Sequence, residues 1–243
     1  MRTADYRPEE ISLLSRHRRL FWFTARNRLI GAKIAGYAGG AKQAKKILEL
    51  GAGSGNIARY LRQSGWRVDA SDCYRESLPF LQQAAERSFL FDLISDPVPG
   101  ELRRQYDLVI MGDVIEHLSE PVPALNKAAG FLRPGGFIIV TVPALKRLWS
   151  RYDEESGHKK RYTPEELKRE LTAGGYQVKE IAYFLFVPAL IIFVLRRFAS
   201  GDEASVPGWA NALLGLVCRL EAVIGRAVRF PFGSSLIAVA EAA

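Results

Sequence analysis

Three polar side chains stand close together in the segment DVIEH, namely Asp113, Glu116 and His117. Carboxylates and imidazoles are the side chains that take up a proton near neutral pH or bind a divalent cation. His158, in the segment GHKKRY, is a second candidate base. The only other histidine is His17, in a basic N-terminal stretch. A catalytic histidine is therefore expected to be His117 or His158.

An apolar stretch positions the first group. The segment YDLVIMGDVIEHL predicts a strand over Leu108–Met111, with the three polar residues at its carboxyl end. Open α/β sheets place their sites at that end of the strands. Three interpretations stay open for the group: proton removal, metal binding, or a helix-capping acid beside a hydrogen-bonded histidine.

The stretch 47–61, ILELGAGSGNIARYL, predicts a strand, a glycine turn and a helix in that order. Glycines at positions 51, 53 and 55 allow positive φ and let a ligand approach the main chain. The helix that opens at 54–56 points free N–H groups toward the same place. These features predict the front half of a nucleotide-binding α/β unit.

Three further strands are predicted downstream. WRVDASD ends in Asp72, about 20 residues beyond the glycines, where an acid accepts ribose hydroxyls in nucleotide-binding folds. SFLFDL contains Asp92 near its end, and FLRPGGFIIVTVP, residues 131–143, reads as a glycine turn and a fifth strand.

Taken together over residues 47–143, these motifs resemble the class I S-adenosylmethionine (SAM)-dependent methyltransferases, whose first motif is [DE]-x-G-x-G-x-G. The resemblance implies an α/β fold with a doubly wound, seven-stranded, mostly parallel Rossmann-like sheet. It also implies SAM as cofactor and a methyltransferase enzyme. The residues that it assigns to the cofactor are Glu49, Gly51, Ala52, Gly53, Gly55, Asp72, Asp92, Leu93, Met111 and Gly112.

Two narrower resemblances point to the ubiquinone-pathway O-methyltransferases. An arginine from a similar F-W-F…R segment binds the SAM carboxylate there, which implies Arg26 or Arg28 here. Their E-x-x-E-H segment binds a divalent metal, which implies a Mg²⁺-like site at Asp113, Glu116 and His117, although Asp113 is one methylene shorter than the family's glutamate. Asp113, His117 and His158 are the catalytic candidates, and a metal-free role for a histidine is the alternative.

Composition predicts a single globular domain with additions. The chain has 243 residues, 48% of them hydrophobic, and two cysteines without metal-binding spacing. Residues 1–46 hold 11 Lys/Arg against 3 Asp/Glu, so they account for the net charge of +8. No nucleic-acid-reading module accompanies this charge, so an anionic lipid or a phosphate-bearing substrate is expected, with an ordinary solvated helix face as the alternative. The charged N-terminus does not read as a signal peptide, which predicts a cytoplasmic protein.

Four parts are predicted along the chain: a basic N-terminal helical cap (1–46), a SAM-binding core (47–187), a hydrophobic helical insertion (188–232) and the last strand (233–243). The apolar run within 181–198 is shorter than a bilayer span. The insertion is interpreted as a dimer contact, a lid over an apolar substrate, or a peripheral contact with the inner face of the membrane.

The sequence therefore predicts methyl transfer to a hydrophobic or membrane-borne acceptor, at the oxygen of a lipid, quinone or glycolipid precursor. No nucleic-acid partner is expected, and a dimer is one interpretation of the insertion. Two alternatives belong to other classes: a nicotinamide-dependent oxidoreductase, and a non-catalytic membrane-associated protein with a SAM-type fold.

Overall fold

A computed structural model describes residues 20–38, 45–191, 207–225 and 228–243. Its centre is a seven-stranded sheet with the order β3-β2-β1-β4-β5-β7-β6. Neighbouring strands are parallel except where β7 pairs antiparallel with β5 and β6. The strands are β1 Lys46–Leu50, β2 Arg67–Asp72, β3 Ser88–Leu90, β4 Tyr106–Gly112, β5 Leu132–Pro143, β6 Tyr176–Phe184 and β7 Ser235–Ala242.

Helices cover both faces of this sheet. Two hydrophobic cores lie on its opposite faces: one includes Leu48, Val109 and Val140, and the other includes Ile47, Ile110 and Ile139. The helices are α1 Phe21–Ala38, α2 Asn56–Gln63, α3 Leu78–Ala84, α4 Pro121–Ala129, α5 Arg151–Glu155, α6 Pro164–Ala173 and α7 Gly208–Ile224.

The central strands are apolar because both of their faces are covered. In β1, Ile47 and Leu48 point to opposite faces and both are fully buried. The following helix α2 is amphipathic, and Ile57, Ala58 and Leu61 form its buried stripe. This strand–turn–helix unit is the one predicted from the glycine stretch.

Strand register brings the carboxyl ends of the central strands to one edge. Leu50 in β1 pairs with Ser71 in β2, and Gly112 in β4 pairs with Thr141 in β5. The glycine turn, Asp72 and the loop that begins at Asp113 therefore leave the sheet on the same side.

The predicted fold class is confirmed, with two local differences. Strand β3 ends at Leu90, because Asp92 and Asp96 accept backbone N–H groups and form a turn there. From sequence, residues 73–87 read as one helix, whereas the structure has the shorter α3, preceded by a 3₁₀ turn at Arg75–Ser77. From sequence, residues 8–36 also read as helical; helix α1 begins at Phe21, and residues 8–19 lie outside the described residues.

The hydrophobic insertion and the other domain boundaries stay predictions. Between β6 and β7, residues 186–191 and α7 are helical, and residues 192–206 and 226–227 lie outside the described part of the chain. Among the described helices, none combines the length and apolar character that crossing a bilayer requires.

Candidate active site

The glycine turn between β1 and α2 leaves open space beside its backbone. Gly51, Gly53 and Gly55 all have positive φ, between 53° and 68°. A methyl group on Gly51 or Gly55 would collide with Val114 or Ala84, at 2.7 and 2.6 Å. A methyl group on Gly53 would meet nothing within 4 Å. The turn is thus packed at its two ends and open at its middle, which is where a ligand can reach the main chain.

Asp72 lies beside that open point. Its Oδ2 accepts the Gly53 N–H at 2.7 Å, and its Oδ1 accepts the Tyr74 N–H at 2.9 Å. Burial raises the pKa of Asp72, although these amide hydrogen bonds act in the opposite direction. Asp72, the residue predicted to bind the ribose hydroxyls, therefore also fixes the glycine turn to the end of β2.

Glu49 performs a structural task from the middle of β1. Its Oε2 accepts the Ala58 N–H at 2.7 Å, so it binds one of the free amides in the first turn of α2. Burial raises the pKa of Glu49 to about 8, and the Ala58 amide and Arg26 only partly oppose this. The predicted role of Glu49 at the cofactor stays a prediction, and its described contact is with the helix.

Arg26 reaches from α1 to the carboxyl end of β4. Its Nη1 forms an ion pair with Asp113 Oδ2, and its guanidinium lies 5.1 Å from the centre of the Phe23 ring. Its Nε is buried and has no hydrogen-bond partner among the described residues. A buried guanidinium with a free donor suits an additional carboxylate. This geometry fits the predicted contact of Arg26 with the SAM carboxylate.

Asp113 is held firmly by its neighbours. It has a positive φ of 57°, which is uncommon for a residue with a side chain. Its Oδ1 accepts the Thr141 hydroxyl at 2.9 Å, while Oδ2 faces Arg26. Both carboxylate oxygens are therefore engaged by side chains that sequence reasoning did not connect with it.

The other predicted cofactor residues lie in different settings. Arg28 is half-buried, and no ion pair joins it to a described residue. Asp92 is half-buried in the turn after β3, and its Oδ1 accepts the Ile94 N–H at 2.8 Å. Along the carboxyl edge of the sheet lie the buried residues Ala52, Leu93 and Met111 and the half-buried Gly112.

Glu116 and His117 form a 3₁₀ turn after Asp113. Glu116 is fully buried, and neither of its carboxylate oxygens has a hydrogen-bond partner among the described residues. Burial, reinforced by the nearby Asp113, raises its pKa well above the ordinary value. Burial, together with the adjacent His158, also lowers the pKa of His117, to about 4. At neutral pH, His117 is an uncharged imidazole.

The loop before α6 brings His158 to the same place. The rings of His117 and His158 lie edge to face, with centroids 4.8 Å apart. The Lys159 N–H donates to the Glu116 carbonyl at 2.7 Å, which joins the two loops. The two histidines that the sequence offered as alternatives are therefore neighbours.

Asp153 orients His158 and was not predicted. It is fully buried, and its Oδ1 lies 2.8 Å from His158 Nδ1. Arg161 donates to both carboxylate oxygens at 2.9 Å. Burial alone would raise the pKa of Asp153, but the hydrogen bonds from His158 and Arg161 hold it at about 2. An ionised Asp153 keeps the His158 proton on Nδ1, which leaves Nε2 as the acceptor.

Residues 158–161, HKKR, form a basic cluster that in sequence could hold a phosphate or carboxylate of the substrate, and the structure uses part of it internally. Arg161 pairs with Asp153, and Lys160 pairs with Glu170. The carboxylate of Glu170 also accepts the Tyr162 hydroxyl at 2.9 Å. These pairs fix the loop that carries His158, so Lys160 and Arg161 are not free to bind an anionic substrate.

A metal fits a different set of residues from the one predicted. Potential ligand atoms of Glu116, His117 and His158 all lie within 4.8 Å of one another. The orphaned carboxylate of Glu116 would gain a partner there, and the Asp153–His158 hydrogen bond is the usual support of a metal-bound imidazole. One carboxylate and two imidazoles suit a borderline cation such as Zn²⁺ better than Mg²⁺. Asp113 is engaged by Arg26 and Thr141 instead.

Comparison with known proteins agrees with this geometry. A profile of the methyltransferase-domain family matches residues 15–181, which include the glycine turn, Asp72 and both site histidines. The chain belongs to the SAM-dependent methyltransferase family. This family assignment confirms the predicted enzyme class and SAM as the cofactor, and it favours the methyltransferase interpretation over the oxidoreductase alternative.

Individual relatives within this family are distant. The chain is 30% identical to a malonyl-[acyl-carrier protein] O-methyltransferase of Salmonella typhimurium over 51% of each protein. It is 25% identical to a ubiquinone biosynthesis O-methyltransferase of Aeromonas salmonicida, over 63% of this chain and 71% of the relative. The match thus spans about half the length of the Salmonella relative.

Among solved structures, the protein from Haloferax volcanii that is bound to the Trm112 methyltransferase activator has a similar fold. Its TM-score is 0.66 at 18% identity, and the similarity covers 99% of this chain and 97% of that one. At this identity the similarity concerns the fold alone.

Proposed function

We propose that this chain transfers the methyl group of SAM to an oxygen atom of a hydrophobic or membrane-borne acceptor. The observation that carries the proposal is the open backbone at Gly53, which Asp72 contacts. Asp113 and His117 follow the carboxyl end of β4 on the same side of the sheet, and Arg26 and His158 contact them. The names of the Salmonella and Aeromonas relatives, both O-methyltransferases, support oxygen as the acceptor atom.

Residues on two elements, α1 and β2, would hold the cofactor. The free donor of Arg26 suits the carboxylate of SAM, and Asp72 suits its ribose hydroxyls. When bound, SAM supplies a methyl group on a positively charged sulfur. Holding an acceptor oxygen in line with that group is worth several kcal/mol, because it replaces a bimolecular encounter.

His158 is the proton acceptor that we assign to a hydroxyl substrate. Asp153 fixes its Nδ1–H, so Nε2 is free to take the proton of the hydroxyl as the oxygen–carbon bond forms. The bond between sulfur and methyl carbon breaks at the same time, and S-adenosylhomocysteine leaves. His117, uncharged beside it, adds no positive charge that would oppose protonation of His158.

The first test separates cofactor binding from proton transfer. S-adenosylhomocysteine binding is measured by calorimetry, and methyl transfer from labelled SAM is measured with extracted cell lipids. We expect His158→Gln to lower kcat by about 10²-fold or more while cofactor affinity stays within twofold, since base catalysis is worth about 10²–10⁴-fold. Asp153→Asn should lower kcat in the same direction and reduce its pH dependence, because it misorients the imidazole without contacting the substrate.

Two results would contradict this assignment. Full activity in His158→Gln would exclude it as the base, and cofactor binding that is absent in the unaltered protein would refute the whole proposal. Lys168→Gln, on the solvent-exposed side of α6, serves as the control and should behave as the unaltered protein.

A metal-assisted form of the same reaction is the second candidate, favoured by the orphaned Glu116 carboxylate. Equilibrium dialysis against Zn²⁺ or Mn²⁺ tests it without any activity measurement. Glu116→Gln and His158→Gln should each lower bound metal at least about tenfold, whereas Asp113→Asn should not. Loss of metal in Asp113→Asn would favour the originally predicted ligand set, and no retained metal in the unaltered protein would exclude both.

A further inference from the structure

Helix α7 is oriented with the carboxylate of Glu221 toward the protein interior. Its buried residues are Cys218 and Glu221, and Cys218 packs in the same core as Phe21 and Ile30 of α1. The Glu221 carboxylate accepts the N–H groups of Phe186 at 2.6 Å and of Val187 at 3.2 Å. The inward position of Glu221 is thus explained, because it caps the helical segment 186–191.

The opposite side of α7 carries large apolar side chains that are exposed. They recur at intervals of three and four residues, so they form one continuous stripe along the helix. Their exposed fractions run from 52% to 74%, and the residues are Trp209, Leu213, Leu216, Leu220, Val223 and Ile224. We call these six residues the α7 face. Single exposed apolar residues are ordinary, but a contiguous stripe of this kind marks a surface that meets another apolar phase.

The charges near the α7 face favour a lipid surface over a second copy of the chain as its partner. Arg219, within the helix, and Arg229, just after it, are both exposed. In a symmetric dimer built on this face, the same patch would face itself and bring these arginines toward their own copies. A layer of anionic headgroups would instead pair with them.

The form of the helix agrees with a position in the plane of a bilayer. At 17 residues it is about 25 Å long, and no described helix meets the requirements for a span. Trp209, at its first turn, is the most exposed residue of the α7 face, and the indole ring favours the headgroup level. An apolar stripe with basic residues at its border is the pattern of interfacial helices.

We propose that the α7 face lies on an anionic lipid surface, with Trp209 at the headgroup level and its five aliphatic side chains inserted below the headgroups. The inference goes beyond the proposed function, because it rests on α7 and the arginines at its border and needs neither SAM nor the histidines. It also supplies a reason for an acceptor dissolved in a membrane, since the same chain would be held where such an acceptor lies.

The test uses flotation with two kinds of vesicle, phosphatidylcholine alone and phosphatidylcholine with 30% phosphatidylglycerol, a composition we choose to supply about the anionic density of a cytoplasmic leaflet. The full-length protein should float with the anionic vesicles and much less with the neutral ones. The double variant Leu216→Ser/Leu220→Ser should lower the partition coefficient at least about tenfold, because two apolar side chains no longer enter the lipid. Arg219→Gln should weaken binding by a smaller factor and reduce its salt dependence.

A matched control and two independent readouts keep the result interpretable. Ile94→Ser removes another exposed apolar residue, in the turn after β3, and should leave flotation unchanged. Calorimetry with S-adenosylhomocysteine should give the same affinity in the double variant, so a loss of flotation with intact binding is a property of the α7 face. Failure of all variants to bind the cofactor would affect the proposed function alone.

Three outcomes would overturn the proposal. They are equal flotation with neutral vesicles, unchanged flotation of the double variant, and a lipid-indifferent dimer that becomes a monomer in the double variant. The last outcome, seen by sedimentation velocity, would assign the α7 face to a second copy of the chain.

Discussion

Asp72 has two tasks, since it anchors Gly53 in the protein and faces the predicted position of the ribose. We expect Asp72→Ala to lower S-adenosylhomocysteine affinity at least about tenfold, because a hydrogen bond to a charged group is worth about 1.5–3 kcal/mol. Calorimetry is the measurement. The control is Asp107→Asn, near the start of β4 and therefore at the opposite end of the strands from the cleft; this variant should bind the cofactor normally. Equal affinities in both variants would contradict the assigned cleft.

Glu49 should make the stability of the protein depend on pH above neutrality. Burial raises its pKa to about 8, whereas the unfolded chain loses this proton near 4.5. Unfolding therefore releases a proton, and the free energy of unfolding should fall as pH rises from 6.5 to 8. The lowered pKa of His117 acts in the opposite sense, but only below its unfolded value of 6.5. The loss expected from Glu49 alone is about 1–2 kcal/mol over this window, measured by urea unfolding without cofactor as the difference from Glu49→Gln.

Glu49→Gln should remove much of that slope, because the amide carries no proton to release. The raised pKa of Glu116 gives a second contribution of the same sign, so some slope should persist. Glu86→Gln, at an exposed carboxylate, should keep the full slope. A profile for Glu49→Gln that is parallel to that of the unaltered protein would mean that Glu49 is ionised in the folded state.

The glycine turn offers a comparison in which stability and binding separate. Gly55→Ala should destabilise the protein strongly, since its new methyl group would lie 2.6 Å from Ala84. Gly53→Ala meets no atom within 4 Å, so its expected stability cost is only the positive φ, about 1 kcal/mol. The new methyl group would nevertheless occupy the open space of the cleft. We therefore expect Gly53→Ala to fold and to lose S-adenosylhomocysteine binding, as measured by thermal unfolding and calorimetry.

Unchanged cofactor affinity in Gly53→Ala would place the ligand elsewhere. Gly208→Ala is a matched control, because nothing lies within 4 Å of its methyl position either. Its φ is not positive, so this control lacks the backbone strain of Gly53→Ala and tests only whether a methyl group added outside the cleft leaves cofactor binding intact.

The order of strands, turns and helices could be predicted because the pattern that specifies each element lies in consecutive residues. The unit β1–turn–α2 follows from an apolar run, three glycines and an amphipathic stretch, and Asp72 follows from its place at the end of the next strand. Strand β3 was predicted too long, since apolar content continues through Phe91 while the hydrogen bonds of Asp92 and Asp96 end the strand. Strand propensity alone does not predict that the side-chain hydrogen bonds of these aspartates favour a turn over a longer strand.

Contacts between distant segments could not be predicted in the same way. His117 and His158 were weighed as alternatives, and their contact depends on the Lys159–Glu116 backbone bond and the Asp153 network. The Arg26–Asp113 pair likewise joins two segments with no periodic relation. The apolar residues at helical spacing in α7 indicate a stripe but not the direction it faces, because the buried position of Glu221 is explained only by the amides that it caps.

Helix α1 contacts both the cleft and helix α7. Helix α1 packs on α7, and Asn211 of α7 accepts the Phe21 N–H at 2.8 Å. From the same helix, Arg26 pairs with Asp113 at the end of β4. Helix α1 thus connects the predicted carboxylate site of SAM with the element that we assign to the lipid surface.

This connection predicts where cofactor binding should slow hydrogen exchange. With S-adenosylhomocysteine at 100 times its Kd, the folded state gains about 2.7 kcal/mol, which sets a ceiling of about 100-fold on the added protection. We expect protection of residues 51–55 and of the first half of α1, because the ligand carboxylate would engage Arg26 and order its helix. Strand β6, at the far edge of the sheet, should gain only the protection that comes from the higher free energy of global unfolding. Arg26→Ala should abolish the added protection in α1 while the glycine turn keeps part of its own. If the cofactor protects the glycine turn but not α1 in the unaltered protein, Arg26 pairs with Asp113 and does not contact the ligand.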